Sequence, residues 1–194
     1  MMRRAIAAIV ASVMLVTACG NSREFAGYVR TPAPSTRGIT LPELGSGSAR
    51  ELVAQDGNLL VVYFGYTNCP DMCPTTMQDL TVALRRLDDP TRVEVAMVTV
   101  DPDRDLAVLD AYVKSFIPSA VALGTTDEAA LAMAAEPFGV NYLVEDSADG
   151  IEVAHTTSLY VVDDEGQLLL TWPFGIPSVE ISADLEDLLN GRRQ

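Results

Sequence analysis

Basic side chains are scarce in this chain. Thirteen lysines and arginines stand against 27 aspartates and glutamates, for a formal charge of −14. That balance excludes electrostatic attraction to nucleic acid or to an anionic membrane surface. It reads as a solvated, acidic exterior. Long apolar runs are missing as well. The stretch "AIAAIVASVMLV" (5–16) falls short of the ~20 residues that a membrane-spanning helix needs. There are no internal repeats and no long low-complexity tract. Histidine occurs once, at His155, and cysteine three times, at Cys19, Cys69 and Cys73. A closed structural zinc site wants four protein ligands. A cysteine pair and one histidine leave it one short.

What is present fits one domain with short extras. The chain has 194 residues, 48 % of them hydrophobic, enough for a real core. The N-terminus lies outside that domain. A basic start, "MMRR", precedes the apolar run, and small residues follow it, as in a signal peptide over residues 1–18. "VTAC" (16–19) resembles the bacterial lipobox, which implies cleavage before Cys19 and a diacylglycerol thioether on its sulfur. Two acyl chains suffice for firm anchoring. The expected location is therefore the cell membrane, lipid-anchored and facing the extracytoplasmic side. Residues 19–38, rich in Gly, Pro, Ser and Thr, read as a flexible tether. With Cys19 assigned to lipid, Cys69 and Cys73 remain as a pair in a compartment where a disulfide can persist.

From residue 39 to 190 the segments alternate. "NLLVVYFGY" (58–66) and "RVEVAMVTV" (92–100) are continuous apolar runs, the pattern of strands buried on both faces. "PTTMQDLTVALRRL" (74–87) and "RDLAVLDAYVKSF" (104–116) have helical spacing, with Pro74 suited to a first turn. "SAVALG" (119–124) predicts a short strand. "TDEAALAMAAEPFG" (126–139) predicts a helix with a threonine cap. "TSLYVVDDEGQLLLTW" (157–172) predicts a hairpin, and "SVEISADLEDLL" (178–189) a final helix starting at serine. A βαβ half followed by a hairpin and a helix is the order of the thioredoxin fold. The expected class is α/β, with a central mixed sheet flanked by helices, an N-terminal extension and a C-terminal hairpin plus helix.

In that order the turn from the first core strand into the first core helix is the reactive corner, and "YFGYTNCPDMCPTTM" (63–77) occupies it. A helix N-terminus lowers the pKa of a nearby thiol. If the turn is already helical at Pro70, the i, i+4 spacing puts both sulfurs on one face. That arrangement suits one soft ion, Cu(I) or zinc, and still permits a disulfide. His155, in "VAHTTSLY", lies on the loop before the hairpin and is expected opposite the cysteines. Two thiolates and an imidazole make a three-coordinate Cu(I) site, with room for a tetragonal Cu(II) site. Phe64, Tyr66, Tyr142, Trp172 and Phe174 are either core or a hydrophobic rim. Asp71 is expected to be exposed.

"FGYTNCPDMCPTTM", "TVDPDRD" and "HTTSLYVVD", in this order and at these separations, resemble the Sco/SenC family, and the resemblance covers about residues 39–190. It implies a membrane-attached thioredoxin-fold copper chaperone for the dinuclear copper centre of cytochrome c oxidase. The implied copper ligands, one ion per chain, are Cys69, Cys73 and His155, with Cys69 and Cys73 also able to close as a redox disulfide. The implied partners are the oxidase's copper-bearing subunit, other copper chaperones or thioredoxin-like reductases, and the membrane. Asp101, in "DPDRD", is expected near the site or as a helix cap. Many members carry an acidic residue where this chain has Ala154, so no carboxylate at that position backs the histidine. The alternative activity is thiol–disulfide exchange, reducing the oxidase's copper-site cysteines or acting in redox or copper homeostasis. Peroxidase chemistry is disfavoured, because "YTNC" lacks the spacing of peroxiredoxins. A mere stapling disulfide would close too short a loop to add much stability.

Overall fold

A computed structural model of the chain describes residues 23–147 and 150–192. The expected signal peptide and Cys19 lie outside them. The elements in chain order are β1 (Tyr28–Val29), β2 (Thr40–Pro42), β3 (Ala49–Glu51), β4 (Leu59–Gly65), α1 (Met72–Leu84), β5 (Val93–Thr99), α2 (Pro102–Asp105) and α3 (Leu109–Phe116). They continue with β6 (Val121–Leu123), α4 (Glu128–Ala135), β7 (Tyr142–Ser147), β8 (Gly150–His155), β9 (Ser158–Asp163), β10 (Leu168–Pro173) and α5 (Ser178–Leu189).

Six strands form one mixed sheet in the order β1-β10-β9-β4-β5-β6. β4, β5 and β6 run parallel, whereas β9 is antiparallel to β4 and β10 to β9. The parallel half needs crossovers, and α1 and α3 supply them. Every residue of β4 is buried, which explains its unbroken apolar sequence. Alternate β4 side chains face opposite layers. Leu59, Val61 and Tyr63 meet α1, α3 and α5, while Leu60, Val62 and Phe64 meet α4 and β2. Each buried aliphatic side chain of this strand contributes roughly 1.5–3 kcal/mol.

Several elements differ from their sequence expectations. The segment 104–116 is two helices, because the chain turns tightly after Asp105, with Val108 N–H donating to the Asp105 carbonyl at 2.9 Å. The cap of α4 is Asp127, whose side chain accepts from Ala129 and Ala130 N–H, rather than Thr126. The final helix, α5, by contrast starts at Ser178 as its sequence predicts, with Pro177 in the cap position. Between Gly139 and Thr157, where the sequence predicts no element, Tyr142–Ser147 and Gly150–His155 pair as the antiparallel strands β7 and β8.

The segment read as a tether also differs. Residues 23–38 are packed against the body. Tyr28 and Val29 pair with Thr171 and Leu170 of β10. The fully buried Asp184 carboxylate accepts from Ala26 N–H at 3.2 Å, Gly27 N–H at 3.0 Å and Trp172 Nε1–H at 2.8 Å, and it pairs with Arg23. A Cβ at Gly27 would lie 2.7 Å from Leu170 and Trp172, so only glycine seats there. Thr36 is buried and donates to the Leu52 carbonyl at 2.6 Å. Residues selected for turn chemistry thus hold long-range partners that local composition does not reveal.

Candidate metal centre

β4 ends at Gly65, where the chain leaves the sheet and turns into α1. The turn is held by Asp105, which is completely buried. Its carboxylate accepts from Thr67 N–H at 3.1 and 3.2 Å, Thr67 Oγ1 at 2.5 Å and Thr99 Oγ1 at 2.7 Å. A buried carboxylate survives only when so many donors meet it. The result fixes Thr67, two residues before Cys69.

α1 starts at Met72, later than a helical Pro70 would require. Cys69 therefore sits before the helix, and its Sγ accepts the Cys73 N–H at 3.2 Å. The sulfurs approach because Cys69 meets an N–H of the first turn that has no partner within the helix, not because both occupy one helical face. Both cysteines are free thiols and both are buried, Cys69 at the margin and Cys73 completely.

The helix N-terminus does not lower the Cys73 pKa as its position in the sequence suggests. Burial pushes the thiol up to about 12, against the opposing pull of the Tyr63 hydroxyl and the Tyr66 backbone. Desolvation of the thiolate outweighs the helix dipole. Tyr63 donates its hydroxyl proton to Cys73 Sγ at 3.2 Å, and burial raises its own pKa.

His155 is the last residue of β8 rather than a loop residue, and hairpin pairing sets it across from Tyr142. Nδ1 lies 3.1 Å from the Thr156 carbonyl, which can only accept. With the ring proton on Nδ1, donated to that carbonyl, Nε2 is bare and faces Cys73 Sγ, 3.7 Å away. Burial lowers the His155 pKa, with the Thr156 and Phe64 backbone opposing. A neutral imidazole with an unprotonated Nε2 is a metal donor. The rings of Tyr66 and Tyr63 stand edge-on to it at 5.6 and 6.2 Å.

One donor atom each from Cys69, Cys73 and His155 lies within 4.8 Å of the other two. Among the described residues this is the only such group of three. The donor set is soft, and three converging atoms can hold one ion of Cu(I) size.

The other expected residues divide. Phe64 and Trp172 are core, Phe64 against Phe138 and Tyr160, Trp172 against Asp184. Tyr66 and Tyr142 flank His155, and Phe174 is exposed. Asp71 is exposed. Asp101 precedes α2 and is ion-paired with Arg104 Nε at 2.5 Å. Burial raises its pKa, Arg104 opposing. It stands outside the three-donor group. Within "TVDPDRD" the carboxylate that supports the cysteine turn is Asp105, which sequence reasoning passed over in favour of Asp101.

A model of the SCO1/SenC family matches residues 45–190. The chain belongs to the SCO1/SenC family. It is 32 % identical to the mouse mitochondrial SCO2 homologue, over 57 % of this chain and 45 % of that protein. The chain spans about half to two thirds of the length of the curated SCO1/SenC relatives it matches first. Among solved SCO1/SenC structures, apo Sco1 from Thermus thermophilus is 30 % identical, with a TM-score of 0.73, covering 87 % of this chain and 99 % of that one. ScoI from Bradyrhizobium japonicum with copper bound is 28 % identical, with a TM-score of 0.65, covering 76 % of this chain and 95 % of that one. The fold is the thioredoxin-like α/β fold of these neighbours, as expected.

Proposed function

We propose that this chain is an extracytoplasmic, lipid-anchored copper metallochaperone. It holds one copper ion between Cys69 Sγ, Cys73 Sγ and His155 Nε2, and passes it to the dinuclear copper site of cytochrome c oxidase. The observation that carries this reading is the convergence of three soft donors within 4.8 Å at the end of β4. The copper-bound state of the related Bradyrhizobium protein supports it. So does the placement of His155, whose Nδ1 meets the Thr156 carbonyl while Nε2 faces Cys73 Sγ.

Copper is the cargo, and the chain's own groups prepare for it. Asp105 fixes the turn that carries Cys69. Gly65, lacking a side chain, leaves room for the Cys73 sulfur beside Tyr63. The Cys73 proton must depart on binding, because burial keeps this sulfur a thiol at neutral pH. Release to a partner's cysteines then proceeds by exchange of one ligand at a time, with the marginally buried Cys69 meeting the incoming sulfur first.

A second activity of the same corner is thiol–disulfide exchange. The unequal burial of the two sulfurs favours it, since only Cys69 lies at the surface margin. Closing the pair expels two protons and two electrons to an oxidising disulfide, and it removes both thiolates from metal binding.

The test is a titration of the reduced soluble domain with Cu(I), followed by X-ray absorption on wild type and His155→Ala. The expected result is one copper per chain, bound by two sulfurs and one nitrogen, with the nitrogen lost in His155→Ala. Uptake well below one per chain, or an unchanged spectrum in the variant, overturns the three-ligand reading.

A further inference from the structure

Tyr63 does something that packing alone does not require. It is the fifth residue of β4, completely buried, on the strand face that meets α1. A phenylalanine would fill the same volume, and a buried hydroxyl is costly unless it is hydrogen-bonded. The hydroxyl is spent on a sulfur: it donates to Cys73 Sγ at 3.2 Å, with Thr76 on the next turn of α1 also approaching it. The same ring stands edge-on to His155, 6.2 Å between centroids at 69°. One side chain thus touches two of the three donors.

Gly65 is the second, independent observation. It lies two residues along β4, on the same face as Tyr63. A Cβ there would come 2.7 Å from Tyr63 Cε1, 2.9 Å from Met97 Cε and 3.2 Å from Cys73 Sγ. The missing side chain is what allows the tyrosine and the sulfur to meet. The strand is therefore shaped around this pair.

We propose that Tyr63 is a positioning residue that sets the donor strength of Cys73, its hydroxyl holding the sulfur toward His155 Nε2 and withdrawing electron density from it so that Cu(I) is favoured over Cu(II). The inference rests on the copper reading above. A hydrogen bond into a ligating sulfur weakens its donation, which destabilises the more electron-poor Cu(II) state more than Cu(I). The sulfur is also pinned in the absence of metal, so the reduced thiol pair gains relative to the disulfide, whose sulfurs are poorer acceptors.

The experiment compares wild type with Tyr63→Phe, which preserves the ring, and with Val62→Ala, a perturbation of the opposite face of β4. Cu(I) and Cu(II) are titrated separately against competing chelators, and the sulfur-to-Cu(II) charge-transfer absorption is recorded. In Tyr63→Phe one copper per chain is still bound. The ratio of Cu(I) to Cu(II) affinity falls by about tenfold, equivalent to about 59 mV in a one-electron couple, and the absorption moves to longer wavelength. Val62→Ala moves neither. An unchanged ratio and band in Tyr63→Phe, or the same shift in Val62→Ala, overturns the proposal while leaving the copper reading intact.

A copper-free measurement separates the two. The thiol pair is equilibrated with glutathione, two protein thiols giving two protons and two electrons to one oxidised glutathione to yield two reduced ones. Tyr63→Phe is expected several-fold more oxidised than wild type at the same buffer, and an unchanged ratio again overturns the proposal. If wild type takes up no copper, the proposed function fails, and this measurement still decides the role of Tyr63.

Discussion

Cys69 and Cys73 hang from the centre of a six-stranded sheet, whereas His155 hangs from a separate two-stranded one. The strand before the cysteines is buried along its whole length and flanked by β5 and β9. The hairpin that ends at the histidine exposes Leu143, Val144 and Ile151, and pairs Glu145 directly with Glu152. Two carboxylates facing each other across a ladder weaken it. The anchoring that remains comes from Tyr142 and Val153, which pack on the second core cluster. Two donors of this site are therefore built into the most stable part of the fold and the third into one of the least stable. Local opening free energies follow such differences in burial.

The largest effect that would break this comparison lies on the rigid side. Cys73→Ser removes a buried soft donor, and Cu(I) affinity is expected to fall by about a hundredfold or more in competition with a chelator. Asp105→Ala comes next. It strands the donors of Thr67 and Thr99 in a buried place, so unfolding should become easier by about 3 kcal/mol in a denaturant melt, and Cu(I) affinity should drop with it. His155→Ala, on the hairpin side, is expected to weaken Cu(I) about tenfold while leaving the melting midpoint unchanged, because the main sheet does not depend on it. A melt shifted as far as that of Asp105→Ala would mean the two sides are equally embedded.

The pH dependence sharpens the same contrast. Cys73 stays protonated up to about 12, so each rise of one pH unit across the neutral range should tighten copper binding by about tenfold or more. His155, whose pKa burial lowers, adds less slope than a solvated histidine would. A binding constant flat across the neutral range would contradict the burial of Cys73. The smallest effect is the simplest to see: amide hydrogen exchange should be slow along β4 and β5 and fast along β7 and β8.

Legibility in the sequence follows the same division. β4, β5, α1 and the hairpin β9–β10 could be read because burial on both faces, or alternation around a "DDEG" turn, leaves a strong local pattern. The cysteine corner could be read because two cysteines follow such a strand. β7 and β8 could not, because exposed strands with glutamates beside valines resemble loop. The geometry between the cysteines is hidden from the sequence for a different reason. Whether a helix begins at Pro70 or Met72 depends on what the N–H groups meet, and here one of them meets Cys69. The high pKa of Cys73 was equally out of reach, since burial is a tertiary property that overrides the helix terminus. Asp105 stood in plain view in "TVDPDRD", but nothing local distinguishes it from Asp101. Only the folded chain brings Thr67, 38 positions earlier, onto its carboxylate.

The docking of residues 23–38 changes the length of a leash. With an anchor at Cys19, as proposed, a chain loose as far as residue 38 would reach about 65 Å from the membrane when drawn out. Because Arg23 is already clasped by Asp184, Asp187 and Glu180, the reach from such an anchor would be no more than about 14 Å. A body on so short a lead would sweep a thin layer above the lipid and turn little. Whatever receives the ion would then have to present its own site at nearly the same height, and the two would meet by sliding in a plane rather than by searching a volume.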